Sequence, residues 1–131
     1  MKLTIIRLQH FSSQDRSDLA KIWPETELDA LEKRLDEHHQ LYAAKFNDRL
    51  LGAVKVVLKG TYGELEDFMI REVTRRRGVG SYLLAETLAQ NSAITQWWIA
   101  DTGNSDREAI AVFMQKSGFI AQPGGWALLQ R

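Results

Sequence analysis

Three consecutive arginines, 75 to 77, stand directly before two closely spaced glycines, Gly78 and Gly80, at the predicted start of a helix. Positive side chains are unfavourable there, because the positive end of the helix dipole repels each of them by roughly 0.3–1 kcal/mol. A bound anion would offset this repulsion. The glycines carry no side chains, so an anion could approach the main chain, whose first-turn N–H groups lack partners within the helix. These residues therefore predict a phosphate-binding loop with arginines at its rim.

Two common nucleotide-binding motifs do not fit this loop. The P-loop closes with Gly-Lys-Ser or Gly-Lys-Thr, and no such lysine follows the glycines. A dinucleotide fingerprint needs a third small residue where this chain has Leu83, although Asp101 lies about where an acidic ribose contact is sought. The remaining alternative is a solvated run of charges with two turn glycines, which leaves the choice of glycine at both positions unexplained.

The loop lies between a predicted strand and a predicted helix. Residues 62–70 are predicted to form the central strand, and Val79, Leu83, Leu84 and Leu88 recur at helical spacing after the loop. A strand, a basic loop and a helix start therefore have to position the candidate site.

The rest of the chain alternates strand and helix patterns. Asn47-Asp48-Arg49 separates two apolar runs and predicts a hairpin turn. Trp97 and Trp98 lie in a near-continuous apolar run, and both are expected in the core of a sheet covered on two faces. The other predicted strands are 3–8, 41–46, 50–58, 94–100, 119–121 and 126–129, of which the last two are either a closing pair or one strand interrupted by a turn. The other predicted helices are one capped by Ser12 or Ser13 and ended by Pro24, one within 25–40, and one at 106–117.

Length and composition limit the possible functions. A chain of 131 residues predicts one domain, 1–131. Its 17 basic and 17 acidic residues balance, so general affinity for nucleic acid or an anionic membrane is not expected. It has no cysteine for disulfides or thiolate metal sites, no signal-peptide pattern and no apolar run long enough to span a bilayer. We therefore expect a soluble, cytoplasmic protein without a metal site.

The hexapeptide at 75–80 reads Arg-Arg-Arg-Gly-Val-Gly, which has the form Arg-x-x-Gly-x-Gly. It resembles the pyrophosphate-binding motif of the Gcn5-related N-acetyltransferase (GNAT) superfamily, whose members bind acetyl-CoA or another acyl-CoA. The order of the elements and the pair Gly118-Phe119 extend the resemblance. It implies the GNAT acyl-CoA N-acyltransferase fold, a mixed α/β fold whose mostly antiparallel sheet has helices on both faces.

Over its whole length the chain is similar to one branch of that superfamily, the PanM/PanZ family of maturation factors for aspartate 1-decarboxylase (PanD). The matching stretches are 1–8, 14–16, 21–25, 42–44, 71–80, 97–98 and 124–126. The resemblance implies a protein that binds acetyl-CoA or CoA, docks on the PanD precursor and promotes the self-cleavage that forms its pyruvoyl group. Because PanD supplies β-alanine for pantothenate, and so for CoA, such a factor would also link this synthesis to CoA status.

The same resemblance assigns residues to two surfaces. The end of the central strand would present its backbone to the pantetheine arm, and the loop and helix start would bind the pyrophosphate. The implied cofactor-binding residues are Phe68, Met69, Ile70, Arg75, Arg76, Arg77, Gly78, Val79, Gly80 and Ser81. Lys45, Asn47 and Arg75 would contact the partner, with Arg75 facing both molecules. Lys45 stands where arginine is expected in this family, which keeps the charge but loses the bidentate fork.

Acetyl transfer would need a base for the amine and a proton donor for the departing thiolate. The superfamily often has a tyrosine donor where this chain has Phe113, which cannot donate a proton. Glu64, Glu66 and Asp67 could supply a base, or they could be solvated carboxylates near a strand edge. We therefore assign no catalytic residue and expect cofactor binding rather than turnover. The alternative is an N-acetyltransferase that acts on a small amine or a protein amine.

Overall fold

The structure is a computed structural model that describes residues 3–70, 79–100 and 114–129. The helices are α1 (Ser13–Ile22), α2 (Leu28–Arg34) and α3 (Val79–Ala89). The strands are β1 (Thr4–Arg7), β2 (His39–Phe46), β3 (Arg49–Lys59), β4 (Tyr62–Ile70), β5 (Gln96–Ala100), β6 (Ile120–Gln122) and β7 (Gly125–Leu129). Residues 114–116 are also helical, which agrees with the end of the helix predicted at 106–117. The loop 71–78 and the rest of that predicted helix lie outside the described residues.

The seven strands form one sheet in the order β1-β2-β3-β4-β5-β7-β6. Neighbouring strands are antiparallel except β4 and β5, which are parallel. A parallel pair needs a crossover connection, and here α3 belongs to the segment that joins β4 to β5. The prediction of a mixed, mostly antiparallel sheet is therefore confirmed.

The helices lie against both faces of the sheet. One cluster of buried side chains joins α3 to the sheet and includes Val56, Leu65, Leu83 and Trp97. The other cluster joins α1 and α2 to β2 and β3, and includes Leu19. The predicted two-faced arrangement is confirmed by these clusters, because the sheet carries a separate apolar core on each side.

The two adjacent tryptophans of β5 differ in burial. Trp97 is 1% exposed and belongs to the cluster under α3, as expected. Trp98 is only half-buried. We expected both rings in the core, and only that of Trp97 is fully buried there. Successive side chains of a strand point to opposite faces, and Trp98 pairs with Glu64 and Ala127 on the other face.

The hairpin between β2 and β3 turns through two residues, Asn47 and Asp48. Phe46 pairs with Arg49, and the two turn residues have φ angles of 49° and 63°. Positive φ at both central positions is what a type I′ turn requires, and Asn and Asp tolerate it better than other side chains. The predicted turn is confirmed, with Arg49 already in the strand.

The helix predicted within 25–40 is shorter than that interval. It ends at Arg34 because Asp36 terminates it: the Oδ1 atom of Asp36 accepts hydrogen bonds from the main-chain N–H groups of His38 and His39, each at 2.8 Å. The bond from His38, followed by those from the side chain and main chain of His39, lowers the pKa of Asp36. A side chain that binds nearby backbone in this way competes with the helix.

Helix α1 begins as the sequence predicts. The Oγ atom of Ser12 accepts from the N–H of Asp15 at 3.1 Å, and the Asp15 carboxylate accepts from the N–H of Ser12 at 3.1 Å. This reciprocal capping box satisfies two N–H groups that the helix cannot pair internally. Among the described residues, no helix is long and apolar enough to cross a membrane.

Candidate functional site

Among the described residues, the parallel pairs between β4 and β5 lie in the first part of β4. It pairs Tyr62 through Leu65 with Gln96 through Ile99, and β4 has nine residues. The pairing of β4 with β3 continues as far as Ile70, opposite Gly52. The described pairing of β4 with β3 therefore extends farther along β4 than its described pairing with β5.

A β-bulge interrupts β4 just after the ladder with β5 ends. Lys55 pairs with Glu66 and Ala53 pairs with Met69, so Val54 alone stands opposite Asp67 and Phe68. Asp67 has a φ of 51°, in the left-handed region. An extra residue of this kind bends the strand and resets which face each following side chain points to.

The bulge is held by a side chain from the end of α1. The indole Nε1–H of Trp23 donates to the main-chain carbonyl of Asp67 at 2.9 Å, and Trp23 is 6% exposed. The ammonium of Lys55 lies 4.8 Å from the centre of the Trp23 ring and 2.8 Å from Oδ2 of Asp67. The three residues therefore contact one another in a closed set.

Three of the predicted cofactor-binding residues occupy the end of β4, beyond the bulge. Phe68 and Ile70 pack against the core under α3, whereas Met69 packs against the core under α1 and α2. All three are half-buried. They thus form the border between the two cores at the strand end that leads towards the loop.

Three more predicted cofactor-binding residues form the first turn of α3. Val79 is 5% exposed and packs into the core under α3. Gly80 is half-buried and Ser81 is exposed. The first turn contains no carboxylate, so the positive end of the helix dipole remains available to an anion.

The other predicted cofactor-binding residues are outside the described part of the chain. They are Arg75, Arg76, Arg77 and Gly78. Phe113, which stands at the position of the missing proton donor, is outside it as well. Their assignments remain predictions.

The predicted partner-binding residues of β2 lie at the hairpin. Asn47 is exposed in the turn, and Lys45 is half-buried beside an irregularity of the β2–β3 register. Two positions past Asn47, the Arg49 guanidinium binds the Asp18 carboxylate of α1, with a shortest distance of 2.7 Å between Nη2 and Oδ1. The turn therefore sits on a strand that is tied to α1.

Asp18 is a fully buried carboxylate with four described donors. Besides Nε and Nη2 of Arg49, the N–H of Leu50 donates to it at 3.0 Å and Nε2 of Gln14 at 3.2 Å. Burial raises the pKa of Asp18, but the hydrogen bonds from Arg49 and Leu50 outweigh burial and hold it below its usual value. Asp18 therefore fixes the start of β3 as a charged anchor.

The carboxylates of β4 have different surroundings. Asp67 is paired with Lys55, and Glu66 is exposed in the register position opposite Lys55. Glu64 is half-buried, and its charge, after burial, is the second cause that raises the pKa of Tyr62. As a candidate base, Asp67 is already bound as the counter-ion of Lys55.

A shallow pocket lies between the end of α2 and the central strands. It contains none of the residues predicted to bind the cofactor. Its lining is Leu31, Arg34, Leu35, His39, Gln40, Lys55, Val56, Val57 and Glu66. It touches the bulge region only through Lys55 and Glu66, so we do not place the cofactor there.

Comparison with known proteins shows to which family the chain belongs. The family profile described as an acetyltransferase (GNAT) domain, PanZ, matches residues 2–127. The chain belongs to the PanZ family. The resemblance seen in the sequence is therefore confirmed, and the fold is that of a PanZ-type GNAT domain.

Two relatives of this PanZ-family chain have the name PanD regulatory factor. The one from Salmonella typhimurium strain LT2 is 56% identical over 126 residues, which cover 96% of this chain and 98% of the relative. The one from Escherichia coli strain K12 is 57% identical over 126 residues, with the same coverage of 96% and 98%. The likeness therefore extends over nearly the whole of each protein.

Solved structures of GNAT proteins share the fold. A solution NMR structure of the Escherichia coli protein YhhK bound to coenzyme A has a TM-score of 0.89 and 55% identity. The match covers 98% of this chain and 99% of that one. The ribosomal-protein-S18-alanine N-acetyltransferase from Escherichia coli has a TM-score of 0.76 at 15% identity, covering 99% and 96% of the chains, which shows likeness of fold alone.

Sequence reasoning missed two features of this PanZ-family site. It assigned no part in a bulge to Trp23, and it did not single out Asp18 or Arg49. One signal was present for Asp18, since it lies beside Leu19 and one turn before Ile22 on the buried side of α1. A carboxylate at such a position needs a partner. No comparable signal points to the bulge.

Proposed function

We propose that this protein binds acetyl-CoA or CoA and regulates PanD by docking on its precursor and promoting the self-cleavage that forms the pyruvoyl group. The observation that carries the proposal is the likeness to two PanD regulatory factors, at 56% and 57% identity over 98% of their length. Through its cofactor the protein links β-alanine supply to CoA status. We place it in the cytoplasm, where CoA and PanD would be available to it.

The cofactor lies across the end of β4 and the start of α3. The pantetheine arm follows Phe68, Met69 and Ile70, where β4 has passed its last described pair with β5. The pyrophosphate lies at the first turn of α3, where N–H groups without helical partners and the helix dipole favour an anion. A relative that is 55% identical has been solved with coenzyme A bound, which supports this assignment.

The partner surface is the β2–β3 hairpin together with Arg75. Asn47 is exposed in a tight turn, and Lys45 supplies a positive charge beside it. The Asp18–Arg49 pair holds the hairpin against α1, so little ordering is needed when a partner binds. Because Lys45 replaces an expected arginine, it offers a point charge rather than a planar fork.

The decisive experiment mixes the purified protein with uncleaved PanD precursor, with and without acetyl-CoA. We expect faster cleavage and a complex detectable by native mass spectrometry, with the strongest effect when acetyl-CoA is present. Unchanged cleavage and no complex under either condition would overturn the proposal.

The second candidate is an N-acetyltransferase for a small amine or a protein amine. It is favoured by the fold, which is shared with acetyltransferases such as the S18-alanine enzyme. The pairing of Asp67 with Lys55 and the absence of an assignable acid argue for regulation instead. Thiol release from acetyl-CoA across a panel of amines would reveal turnover, and we expect none above the spontaneous rate.

A further inference from the structure

We propose that Trp23, Lys55 and Asp67 form a bulge clamp that positions the end of β4 for the pantetheine arm of the acyl-CoA. The inference rests on the proposed cofactor function and adds three positioning residues to it. None of them needs to touch the cofactor. They act through the main chain that follows them.

The bulge needs support from outside the strand. Asp67 has a φ of 51° in the middle of β4, a conformation that is uncommon for residues other than glycine, although Asp tolerates it better than most. Such backbone persists where the surrounding contacts hold it in place. The clamp supplies these contacts, because Trp23 binds the carbonyl of Asp67 and Lys55 binds its carboxylate.

The clamp also joins distant parts of the chain. Trp23 caps α1, where its own N–H donates to the carbonyl of Leu19 at 2.7 Å. Its ring carries Lys55 of β3 on one side, 4.8 Å from the ring centre, and its Nε1–H reaches β4. The end of α1 and the two central strands are therefore held in one geometry.

The bulge decides which way the cofactor-facing residues point. Leu65 and Phe68 belong to the core under α3, although they are three positions apart and a regular strand would place them on opposite faces. Met69 then points to the core under α1 and α2, and Ile70 points again to the core under α3. Without the extra residue, all three residues after the bulge would exchange faces, together with the main-chain groups between them.

A clamp that positions the pantetheine segment and a clamp that only stabilises the fold predict different effects on ligand binding. The pyrophosphate region begins at α3, whose first residue, Val79, packs into the other core independently of Trp23. Loss of the clamp should therefore weaken the binding of a ligand that has a pantetheine arm. It should leave unchanged the binding of a ligand that has the pyrophosphate without that arm. Acetyl-CoA and ADP are such a pair.

The test is calorimetric titration of acetyl-CoA and of ADP into the full chain and three variants. Lys55→Met keeps the aliphatic stem and removes the ammonium, and Trp23→Phe keeps a ring and removes the N–H. We expect each of these two variants to weaken acetyl-CoA binding roughly tenfold, because each loses a hydrogen bond at a charged cluster. ADP binding should be unchanged. The matched control is Lys59→Met, an exposed lysine of the same strand, which should change neither affinity.

Nuclear magnetic resonance gives a readout in the unsubstituted protein. The indole ¹H–¹⁵N signal of Trp23, assigned through its loss in Trp23→Phe, should shift when acetyl-CoA is added and stay in place when ADP is added. This readout does not require Lys55→Met to fold.

The possible outcomes separate the two proposals. If the unsubstituted protein binds neither ligand, the cofactor function fails and the clamp's role fails with it. If it binds acetyl-CoA while the variants bind it equally well, the clamp alone is overturned. If the variants lose both ligands in parallel, the three residues are merely structural and the positioning role is rejected.

Discussion

The carboxylate of Asp18 and the guanidinium of Arg49 meet across 31 residues of sequence, with Nη2 of Arg49 2.7 Å from Oδ1 of Asp18. Asp18 is 0% exposed, whereas the Arg49 side chain is 42% exposed. A buried anion is thus held by a cation that is itself partly hydrated. The pair ties the first residue of β3 to α1 and so orients the β2–β3 hairpin.

Removing this anchor should destabilise the protein. Asp18→Ala leaves the Leu50 N–H without its acceptor and Arg49 without its anion, and we expect a loss of about 3 kcal/mol in the free energy of unfolding. Urea denaturation measures it. Arg16→Met is the control, because its pairs with Asp29 and Glu32 are more exposed and should contribute much less. Equal losses in the two variants would contradict the role of burial.

The same carboxylate should give stability a defined pH dependence. The folded-state pKa of Asp18 is lowered, so its contribution is complete above the unfolded pKa of about 3.9 and is lost as pH falls through the lower folded value. Asp36, whose pKa is also lowered, acts in the same direction. Melting temperatures between about pH 2 and pH 6 should fall towards acid. The fall should be shallower in Asp18→Asn, and a profile parallel to the unsubstituted protein would refute the assignment.

The turn residue Asn47 allows backbone and side-chain effects to be separated. Asn47→Gly keeps the positive φ of 49°, whereas Asn47→Ala should lose about 1 kcal/mol of stability because alanine is strained there. Both variants lose the amide, so both should bind the PanD precursor more weakly, by native mass spectrometry or calorimetry. Asp48→Gly is the matched control at the neighbouring position, where φ is 63°. If it weakens binding as much as Asn47→Gly, the amide of Asn47 is not the contact.

Two adjacent glycines near the end of the chain should respond differently to alanine. A Cβ at Gly125 would clash with the main-chain carbonyl oxygen of Ile99 and lie 2.7 Å from Cζ2 of Trp98, while one at Gly124 would meet nothing within 4 Å. Gly125→Ala should therefore lower the melting temperature strongly, with a cost of about 2 kcal/mol or more from overpacking. Gly124→Ala should cost only about 1 kcal/mol, from its φ of 86°. The reverse order of the two melting temperatures would contradict the packing at Trp98.

The elements that the sequence predicts well are those set by neighbours along the chain. Ser12 caps α1 through Asp15, three positions away, and Asn47 and Asp48 turn the hairpin through their own backbone preferences. Helix α3 follows from the periodic apolar residues that begin at Val79. The short helix predicted within 25–40 is also present, and its end at Arg34 follows from Asp36, whose side chain binds the main chain of His38 and His39.

The sequence by itself indicated the family, through a resemblance that runs along the whole chain, and the order of the described strands and helices, through local periodicity. The residues that this resemblance assigns to the cofactor and the partner stay predictions. Only the tertiary structure decided the Asp18–Arg49 anchor, the bulge at Asp67 and its hydrogen bond from Trp23, 44 residues away. Such contacts depend on how separate elements pack and on which strand gains an extra residue. No spacing along the chain encodes them, because the partners meet only when the sheet and its helices have assembled.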